Sequence, residues 1–323
     1  MNPYQLRAII NLANIETKLL NKNIVRSRNE FFNFEFNKYG LPLLIEADSK
    51  LFNFSNIDIY ELTKREILSN FYKLDIPHYI GLDSSFRGCK FLSKIELKDE
   101  YIDILNLYIK KNETSINQIL SIKKKHKSIG AFQTRNIPHL GHEKIIERML
   151  EECNHVIINP VVGPKKIGDI KIEKLEKIFN YMIKHKFDSK VSFVPIDTNM
   201  YYAGPQEAIH HSFIREKLGF SYFSIGRDHA GADNVYNEEA AIKLAYRNLG
   251  NFKIKLIIHN GSYFCPSCNE VILSGECEHD KNNFLNISGS NFRKSINQKL
   301  YFKYADKNLQ NYLIKINENL FVE

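Results

Sequence analysis

The residues best suited to chemistry on a phosphate lie in the short stretch 133–142. His139 and His142 are three residues apart with Gly141 between them, so a helix beginning here would place two imidazoles and free backbone N–H groups around one spot. The helix dipole stabilises an anion there by about 0.3–1 kcal/mol, and imidazole can hydrogen-bond oxygens that gain charge in a transition state. The spacing predicts a phosphate site; histidines that only cap and pack a helix start are the alternative.

Polar side chains just before these histidines could hold a second anion. They are Gln133, Arg135 and Asn136. The arginine offers a planar fork that bonds two oxygens at once, a geometry that lysine cannot copy. A zinc site of the His-Glu-x-x-His type is not expected, because Glu143 after His142 does not complete that motif.

Three of the five cysteines fall close together near the carboxyl end. Cys265, Cys268, Cys277 and His279 supply four metal ligands within fifteen residues. Such a set suits tetrahedral, structural Zn²⁺, although the spacing of the last two ligands is tighter than usual. Five cysteines in 323 residues are too few for a disulfide framework, and no thioredoxin-like pattern surrounds Cys265 and Cys268 to support a redox role.

The elements that must position these residues follow from hydrophobic periodicity. From about residue 128, short apolar runs alternate with amphipathic stretches, which predicts a parallel sheet with crossover helices. The expected strands are 128–133, 156–162, 191–196, 222–226 and 254–259, and helices begin near His142, Asp169, Gly204 and Asn237. Such doubly wound, Rossmann-like sheets bind ligands beyond the carboxyl ends of their strands, so the residues that follow each strand are the first candidates for a site.

Three regions are expected along the chain. Residues 1–127, rich in Phe and Tyr without clean alternation, are expected to form a separate α+β domain. Residues 128–260 form the Rossmann-like domain, and residues 261–323 form the zinc-binding segment with further helices. The basic run 123–127 is interpreted as a solvated linker, with a nucleic-acid contact as the alternative.

The composition is that of a globular protein, with 43% hydrophobic and 25% charged residues. The 45 Lys and Arg residues against 37 Asp and Glu give a net charge of +8, which favours an anionic partner, although a general richness in Lys, Asn and Ile would also explain it. No stretch reaches the ~20 apolar residues of a membrane helix and the first residues lack a signal-peptide layout, so a cytoplasmic protein is expected.

The polar stretch belongs to a longer, ordered set of motifs. His-x-Gly-His is shared by nucleotidyltransferases and class I aminoacyl-tRNA synthetases, and here Gln-Thr-Arg-Asn precedes it at 133–136. The further motifs are Asn-Pro-Val-Val-Gly at 159–163 with Gly-Asp-Ile at 168–170, Tyr-Ala-Gly-Pro-Gln-Glu-Ala at 202–208, Ile-Gly-Arg-Asp-His-Ala-Gly at 225–231, and Ile-Ser-Gly-Ser at 287–290 followed by Arg293. Over about residues 128 to 300, the chain resembles the sulfate adenylyltransferase (ATP sulfurylase) family, in its prokaryotic zinc-containing form without a kinase domain.

The resemblance implies a Rossmann-like nucleotidyltransferase domain preceded by a PUA-like domain. It implies that ATP and sulfate react to give adenosine 5′-phosphosulfate and pyrophosphate, with Mg²⁺ on the triphosphate and structural Zn²⁺. Sulfate is already ionised at neutral pH, so no general base is needed, and the remaining tasks are to position two anions and to stabilise developing charge. A homo-oligomer is expected, without membrane or nucleic-acid partners.

Residue roles carry over with the motifs. The sulfate ligands would be Gln133, Arg135 and the backbone N–H of Ala230. The catalytic set would be Thr134, Arg135, Asn136, His139 and His142. The nucleotide ligands would be Gln133, Thr134, Asn136, Gly226, Arg227, Asp228, His229, Ser262, Ser288, Gly289, Ser290 and Arg293. An internal Arg227–Asp228 ion pair and simple helix capping by Ser288 are the alternatives at those positions.

Three positions depart from the family pattern. Asn159 replaces the usual His, while Tyr201 and Gln206 replace Arg. The loss of two positive charges leaves open a related nucleotidyltransferase that acts on another oxyanion or a phosphorylated acceptor. An RNA-binding protein without activity fits poorly with the retained Gln-Thr-Arg-Asn motif and both histidines, and a class I synthetase fits poorly because a Lys-Met-Ser-Lys-Ser loop is missing. We predict the sulfate adenylyltransferase reaction.

Overall fold

The computed structural model describes residues 102–322, apart from 164, 199, 233, 288 and 317–318, together with short segments of the first 101 residues. Those segments are 44–45, 52–53, 59–60, 64–81, 90–92 and 96–97. The predicted PUA-like fold of residues 1–127 falls largely outside the described residues and stays a prediction.

The described amino-terminal segments contain short antiparallel strands. β1 (Leu44–Ile45), β2 (Phe52–Asn53), β3 (Ile59–Tyr60), β4 (Lys90–Leu92) and β5 (Glu96–Leu97) form a sheet of order β1-β4-β3 and a separate β2-β5 pair. A helical turn, α1 (Lys64–Glu66), continues as a π-helix over Ile67–Tyr72. The next helix, α2 (Ile102–Lys125), has three lysines in its last turn, so the basic run expected in a linker is helical as far as Lys125.

A five-stranded parallel sheet forms the centre of the described structure. Its strands are β6 (Ile129–Phe132), β7 (His155–Ile158), β8 (Val191–Phe193), β9 (Tyr222–Ile225) and β10 (Lys255–Ile258), in the order β10-β9-β6-β7-β8. All five predicted strands are confirmed, each shorter than expected, and an isolated parallel bridge between Val161 and Ile196 extends the β7–β8 pairing. The first strand, β6, is the middle strand of the sheet. β7 and β8 are added on one side of it, and β9 and β10 on the other. The strand order therefore reverses between β6 and β9, which is where such sheets bind ligands.

Side-chain alternation along the strands divides the core into two layers. Ile129 and Ala131 of β6 face one layer, with Ile157 of β7, whereas Phe132 and Val156 face the other. The helices that cover the two faces are α3 (Leu140–Glu152), α4 (Ile172–Met182), α5 (Pro205–Lys217) and α6 (Ala240–Arg247). Each predicted helix start lies within three residues of an observed one.

The carboxyl-terminal segment adds a small antiparallel sheet and two helices. Its strands are β11 (Ser262–Cys265), β12 (Glu270–Leu273) and β13 (Leu285–Asn286), in the order β12-β11-β13, and its helices are α7 (Gly289–Asn297) and α8 (Lys307–Lys315). A π-helix at Ile183–Phe187 and single 3-10 turns at Asp188–Lys190, Leu249–Asn251 and Lys281–Asn283 complete the described elements. Among the described residues, no helix is both long and apolar enough to cross a membrane.

Candidate active site

A cavity opens at the carboxyl ends of β6 and β9, at the point where the strand order reverses. Twelve of the predicted site residues line it: Gln133, Thr134, Arg135, Asn136, His139, His142, Gly226, Arg227, Asp228, His229, Ala230 and Ser262. The fold therefore brings together three sequence motifs and Ser262, which lies 129 positions after Gln133 along the chain.

Some lining residues were missed by the sequence analysis. They are Phe132, Ile145, Met200, Ser224, His259 and Gly261. His259 directly follows β10 and its Nε2 lies 3.0 Å from the Ser224 hydroxyl oxygen. The rule that ligands lie beyond the carboxyl ends of strands, applied to the fifth strand, identifies this residue.

The predicted residues from the last motif lie behind the lining. Arg293 Nη1 donates a hydrogen bond to Asn136 Oδ1 at 2.8 Å, and Gly289 packs against the same asparagine, where an added Cβ would lie 3.4 Å from its Cγ. Ser288 lies outside the described residues, as does the side chain of Ser290. Arg293 thus orients Asn136, and its predicted contact with the nucleotide is a proposal.

The two histidines cap the helix that begins beside the cavity. His139 is the N-cap of α3, and its Nδ1 accepts a hydrogen bond from Gly141 N at 3.1 Å, while His142 Nδ1 accepts one from His139 N at 3.3 Å. The two rings stack with their centroids 3.9 Å apart. A neutral ring that accepts at Nδ1 carries its proton on Nε2, so capping fixes the tautomer and leaves an Nε2–H donor on each ring. Capping and anion binding are therefore compatible roles.

Burial keeps these rings neutral. Desolvation lowers the pKa of His139 to about 4. It also lowers the pKa of His142 well below its usual value, with a smaller effect in the same direction from His139. Both rings therefore act at neutral pH as hydrogen-bond donors without charge, until an anion in the cavity raises their pKa values again.

Gly141, between the two histidines, permits the carboxyl-terminal segment to approach the helix start. A Cβ added at this glycine would collide with the Ser262 side chain, which begins β11. Since Ser262 also lines the cavity, any larger residue at 141 would separate the small sheet from the histidines.

Arg135 is held by contacts with residues other than those around the histidines, and these contacts leave its guanidinium partly available. Its Nη2 donates to Gly231 O at 2.5 Å, its Nη1 lies 3.9 Å from Asp169 Oδ2, and its guanidinium carbon lies 5.0 Å from the centre of the Tyr202 ring. Nη1 is buried and makes no hydrogen bond within the described part of the chain. This arrangement presents a positive, partly unsatisfied group to the cavity.

The loop beneath Arg135 is fixed from several directions. Tyr202, at φ +56°, donates from its hydroxyl to Asp169 Oδ2 at 2.8 Å. The hydroxyl of Tyr72 donates to Tyr201 O at 2.9 Å, and that of Tyr79 donates to Tyr202 O. Tyrosines of the amino-terminal segment 64–81 therefore support the residues on which Arg135 rests.

Two of the departures from the family pattern lie near this loop. Tyr201 is fully buried, and Gln206 lies in the first turn of α5. Neither is among the residues that line the cavity. Their replacement of Arg does not remove a cation from the described lining.

A turn with unusual backbone angles carries the predicted sulfate ligand Ala230. Asp228 and Ala230 both have positive φ, +48° and +57°, a conformation that costs non-glycine residues free energy. Ala230 O accepts from Gly204 N at 3.3 Å, and within the described residues its own N–H forms no backbone hydrogen bond. Between them, His229 is anchored by its Nε2, which lies 3.2 Å from His211 Nδ1.

The buried carboxylate of Glu207 supports both the loop at Tyr202 and, through His211, the turn that carries Ala230. Glu207 accepts from Tyr201 N at 2.8 Å and from Ala203 N at 2.9 Å, and lies 3.4 Å from His211 Nε2. Burial raises the pKa of Glu207 to about 7, against the opposing effect of the backbone N–H groups. The alternative interpretation of Arg227 and Asp228, an internal ion pair, is not found among the described residues: Arg227 Nη1 pairs with Glu238 Oε2 at 3.1 Å.

A second candidate centre lies in the small sheet. The ligand atoms of Cys265, Cys268, Cys277 and His279 all lie within 4.8 Å of one another. Cys268 N donates to Cys265 Sγ at 3.4 Å, the arrangement of a knuckle folded around its sulfur atoms. Three thiols and one imidazole at this spacing can hold one metal ion in tetrahedral coordination.

Elsewhere, the predicted burial of Cys153 is confirmed, while Cys89 lies outside the described residues.

Known proteins are similar to this chain in sequence or in fold. The ATP-sulfurylase family model matches residues 110–301. The sulfate adenylyltransferase of Pyrococcus abyssi is 32% identical over 266 residues, which cover 81% of this chain and 69% of that protein. That of Thermococcus onnurineus is 31% identical over 265 residues, with 81% and 69% covered.

Among solved structures, the hexameric APS kinase from Thiobacillus denitrificans is similar with a TM-score of 0.59. The match covers 97% of this chain and 62% of that one at 10% identity, so it concerns the fold alone.

The family match includes β6 to α7 and therefore every described residue that lines the cavity. The chain belongs to the ATP-sulfurylase family.

Proposed function

We propose that this protein transfers AMP from ATP to sulfate, giving adenosine 5′-phosphosulfate and pyrophosphate. The observation that carries the proposal is the convergence of the Gln-Thr-Arg-Asn, His-x-Gly-His and Gly-Arg-Asp-His-Ala motifs on one cavity at the sheet's switch point. Membership of the ATP-sulfurylase family supports it.

Sulfate is bound on the side of the cavity that carries Arg135. The guanidinium is positioned by Gly231 O and the Tyr202 ring and keeps a buried N–H group without a hydrogen-bond partner among the described residues. The Ala230 N–H and the Gln133 amide complete the set, because both lie in the same lining. Neutral and charged donors together hold a tetrahedral dianion.

The nucleotide phosphates are bound near the helix start. His139 and His142 donate from Nε2 to phosphate oxygens, and the first turn of α3 adds its dipole. A sulfate oxygen attacks the α-phosphorus, a new P–O bond forms, and the bond to the β-phosphate breaks with its electron pair leaving on pyrophosphate. Donors aimed at the departing oxygens stabilise the charge that builds there.

Two metal ions complete the proposal. Zn²⁺ is the ion whose preferred ligands match the Cys265, Cys268, Cys277 and His279 cluster, and its role there is structural. Mg²⁺ accompanies the triphosphate of the nucleotide and offsets its charge. We also infer a homo-oligomer, which light scattering of the purified protein would test.

The experiment that tests the function is pyrophosphate release from Mg-ATP by the purified protein, with and without sulfate, in parallel with CTP and GTP. Release that requires both ATP and sulfate supports the proposal. Release that requires a different oxyanion or a phosphorylated acceptor in place of sulfate would contradict it and would support a nucleotidyltransferase with a changed acceptor.

A further inference from the structure

A fully buried arginine, Arg215, lies beneath the cavity, and the proposed reaction does not itself use it. Its side chain is 0% exposed, and no ion pair to a carboxylate involves it within the described residues. Burial lowers its pKa to about 9, so it still carries its charge at neutral pH. A buried charge without an ion pair is costly to maintain, which calls for an explanation of where its donors go.

Two of the three guanidinium nitrogens of Arg215 donate to two residues, while the third, Nη1, is buried and makes no hydrogen bond among the described residues. Its Nε donates to Asn159 Oδ1 at 2.9 Å, and its Nη2 donates to Asn159 O at 2.6 Å and to Gln133 Oε1 at 2.9 Å. Gln133 follows β6 and lines the cavity. The buried charge is therefore linked by one hydrogen bond to a residue predicted to bind the acceptor.

This link decides which end of the Gln133 amide faces the cavity. Gln133 Oε1 accepts a second hydrogen bond from Val161 N at 3.1 Å, so both of its acceptor positions are filled from within the protein. Rotating the amide by half a turn would set its NH₂ group against two other donors. The NH₂ end is therefore the part of Gln133 available to an anion.

Asn159 also holds Arg215 in place, because the hydrogen bonds of its own amide fix which end faces the guanidinium. It is fully buried, its Nδ2 donates to Val194 O at 2.6 Å, and its backbone N donates to Phe132 O at 2.9 Å. Its amide orientation is thus fixed as well, with the oxygen turned to Arg215. The replacement of His by Asn at this position retains an acceptor for the arginine.

We propose that Arg215 is a positioning residue for anion binding, and that the buried network Asn159–Arg215–Gln133 turns the Gln133 NH₂ group toward the acceptor oxyanion. The inference rests on the proposed function for the identity of that oxyanion. The orientation of the amide follows from the hydrogen bonds alone.

A double-mutant cycle tests the positioning role. Arg215→Lys keeps the charge but replaces the planar fork that makes these three hydrogen bonds with a single ammonium group, so the KM for sulfate should rise about tenfold while the KM for ATP stays within about twofold. In a Gln133→Ala background, adding Arg215→Lys should raise the KM for sulfate by less than about twofold, because the group that it positions is gone. An undiminished effect in that background would contradict the inference.

Gln133→Glu provides a second test that does not depend on whether an Arg215 variant folds. A carboxylate at 133 would pair with the buried guanidinium, so the Tm should rise, while sulfate binding should be lost because the NH₂ donor is replaced by a negative oxygen. Exposed Gln118→Glu, which makes the same change in charge, serves as the matched control, with no change in either quantity. A Tm that falls or is unchanged in Gln133→Glu would overturn the network.

The two proposals can fail separately. If the unaltered protein releases no pyrophosphate with sulfate, the proposed function fails, and the Tm of Gln133→Glu still reports on the network because it needs no substrate. If the unaltered protein is active but the Tm and the cycle do not behave as stated, only the positioning role fails.

Discussion

The two sides of the cavity are built by different means. The histidine side, consisting of His139, Gly141, His142 and Ser262, rests on one regular helix start whose capping hydrogen bonds are local in sequence. The arginine side, consisting of Arg135, the loop at Tyr202 and the turn at Ala230, rests on residues with positive φ that distant side chains hold in place. The first side offers neutral donors and the second offers fixed charge, so we expect damage on the arginine side to affect acceptor binding most.

Removal of the charge itself should have the largest effect. Arg135→Ala should reduce pyrophosphate exchange about 10²–10³-fold or more with the fold intact, because the other arginine of the described lining, Arg227, is paired with Glu238. His142→Ala should reduce exchange by a smaller factor, about 10²-fold, through loss of an Nε2–H donor and of the cap. Circular dichroism and Tm check the fold; activity near the original level in either variant would contradict the site assignment.

Metal removal should damage the histidine side selectively. The cluster at Cys265 and Cys268 ends the strand that begins at Ser262, so chelation or Cys268→Ser should lower the Tm and loosen the contact with Gly141. We expect the KM for ATP to rise more than the KM for sulfate. Metal analysis of the protein before and after chelation is the control, and equal changes in both constants would remove the distinction between the two sides.

The buried carboxylate of Glu207 tests the arginine side. Glu207→Gln leaves one of the two N–H groups, Tyr201 N or Ala203 N, facing another donor, which should destabilise the protein by about 1–3 kcal/mol. The KM for sulfate should rise because the loop under Arg135 loosens. Urea unfolding and kinetics on Glu207→Gln and on the exposed control Glu176→Gln measure both effects; a destabilised protein with unchanged sulfate binding would show that Glu207 acts on folding alone.

The sequence predicted the histidine side better than the arginine side, for a physical reason. Capping, helix phase and strand ends are local, so the positions of His139 and His142 follow from a few neighbouring residues. The support of Arg135 by Tyr72, Tyr79 and Glu207 depends on contacts across more than a hundred residues for the tyrosines, which no local pattern encodes. Likewise, the contact of Arg215 with Gln133 joins positions 82 residues apart.

The pKa values of two buried histidines that line the cavity, His139 and His259, predict a small dependence of stability on pH. Burial lowers the pKa of His139 and of His259 to about 4, whereas the unfolded chain takes up these protons near the ordinary value of 6.5. At these two rings the unfolded state therefore binds more protons between these values, so they lower the free energy of unfolding as the pH falls from 6.5 toward 4. Glu207, whose pKa burial raises to about 7, acts in the opposite direction.

Urea midpoints across this pH range, with and without pyrophosphate, would measure the effect. Pyrophosphate should reduce the loss, because an anion beside the rings raises their pKa values, and calorimetry in two buffers of different ionisation enthalpy should show proton uptake on binding. Pyrophosphate binding that releases protons would contradict neutral, buried histidines in this site.

In the proposed reaction, one cavity transfers AMP from ATP to sulfate, with sulfate on the arginine side and the nucleotide phosphates on the histidine side. The most direct test of this reaction is pyrophosphate release from Mg-ATP by the purified protein at neutral pH, measured with and without sulfate. We predict release that depends on sulfate, prefers ATP over CTP and GTP, and is lost in Arg135→Ala. Release that is independent of sulfate, or unchanged in Arg135→Ala, would contradict the account.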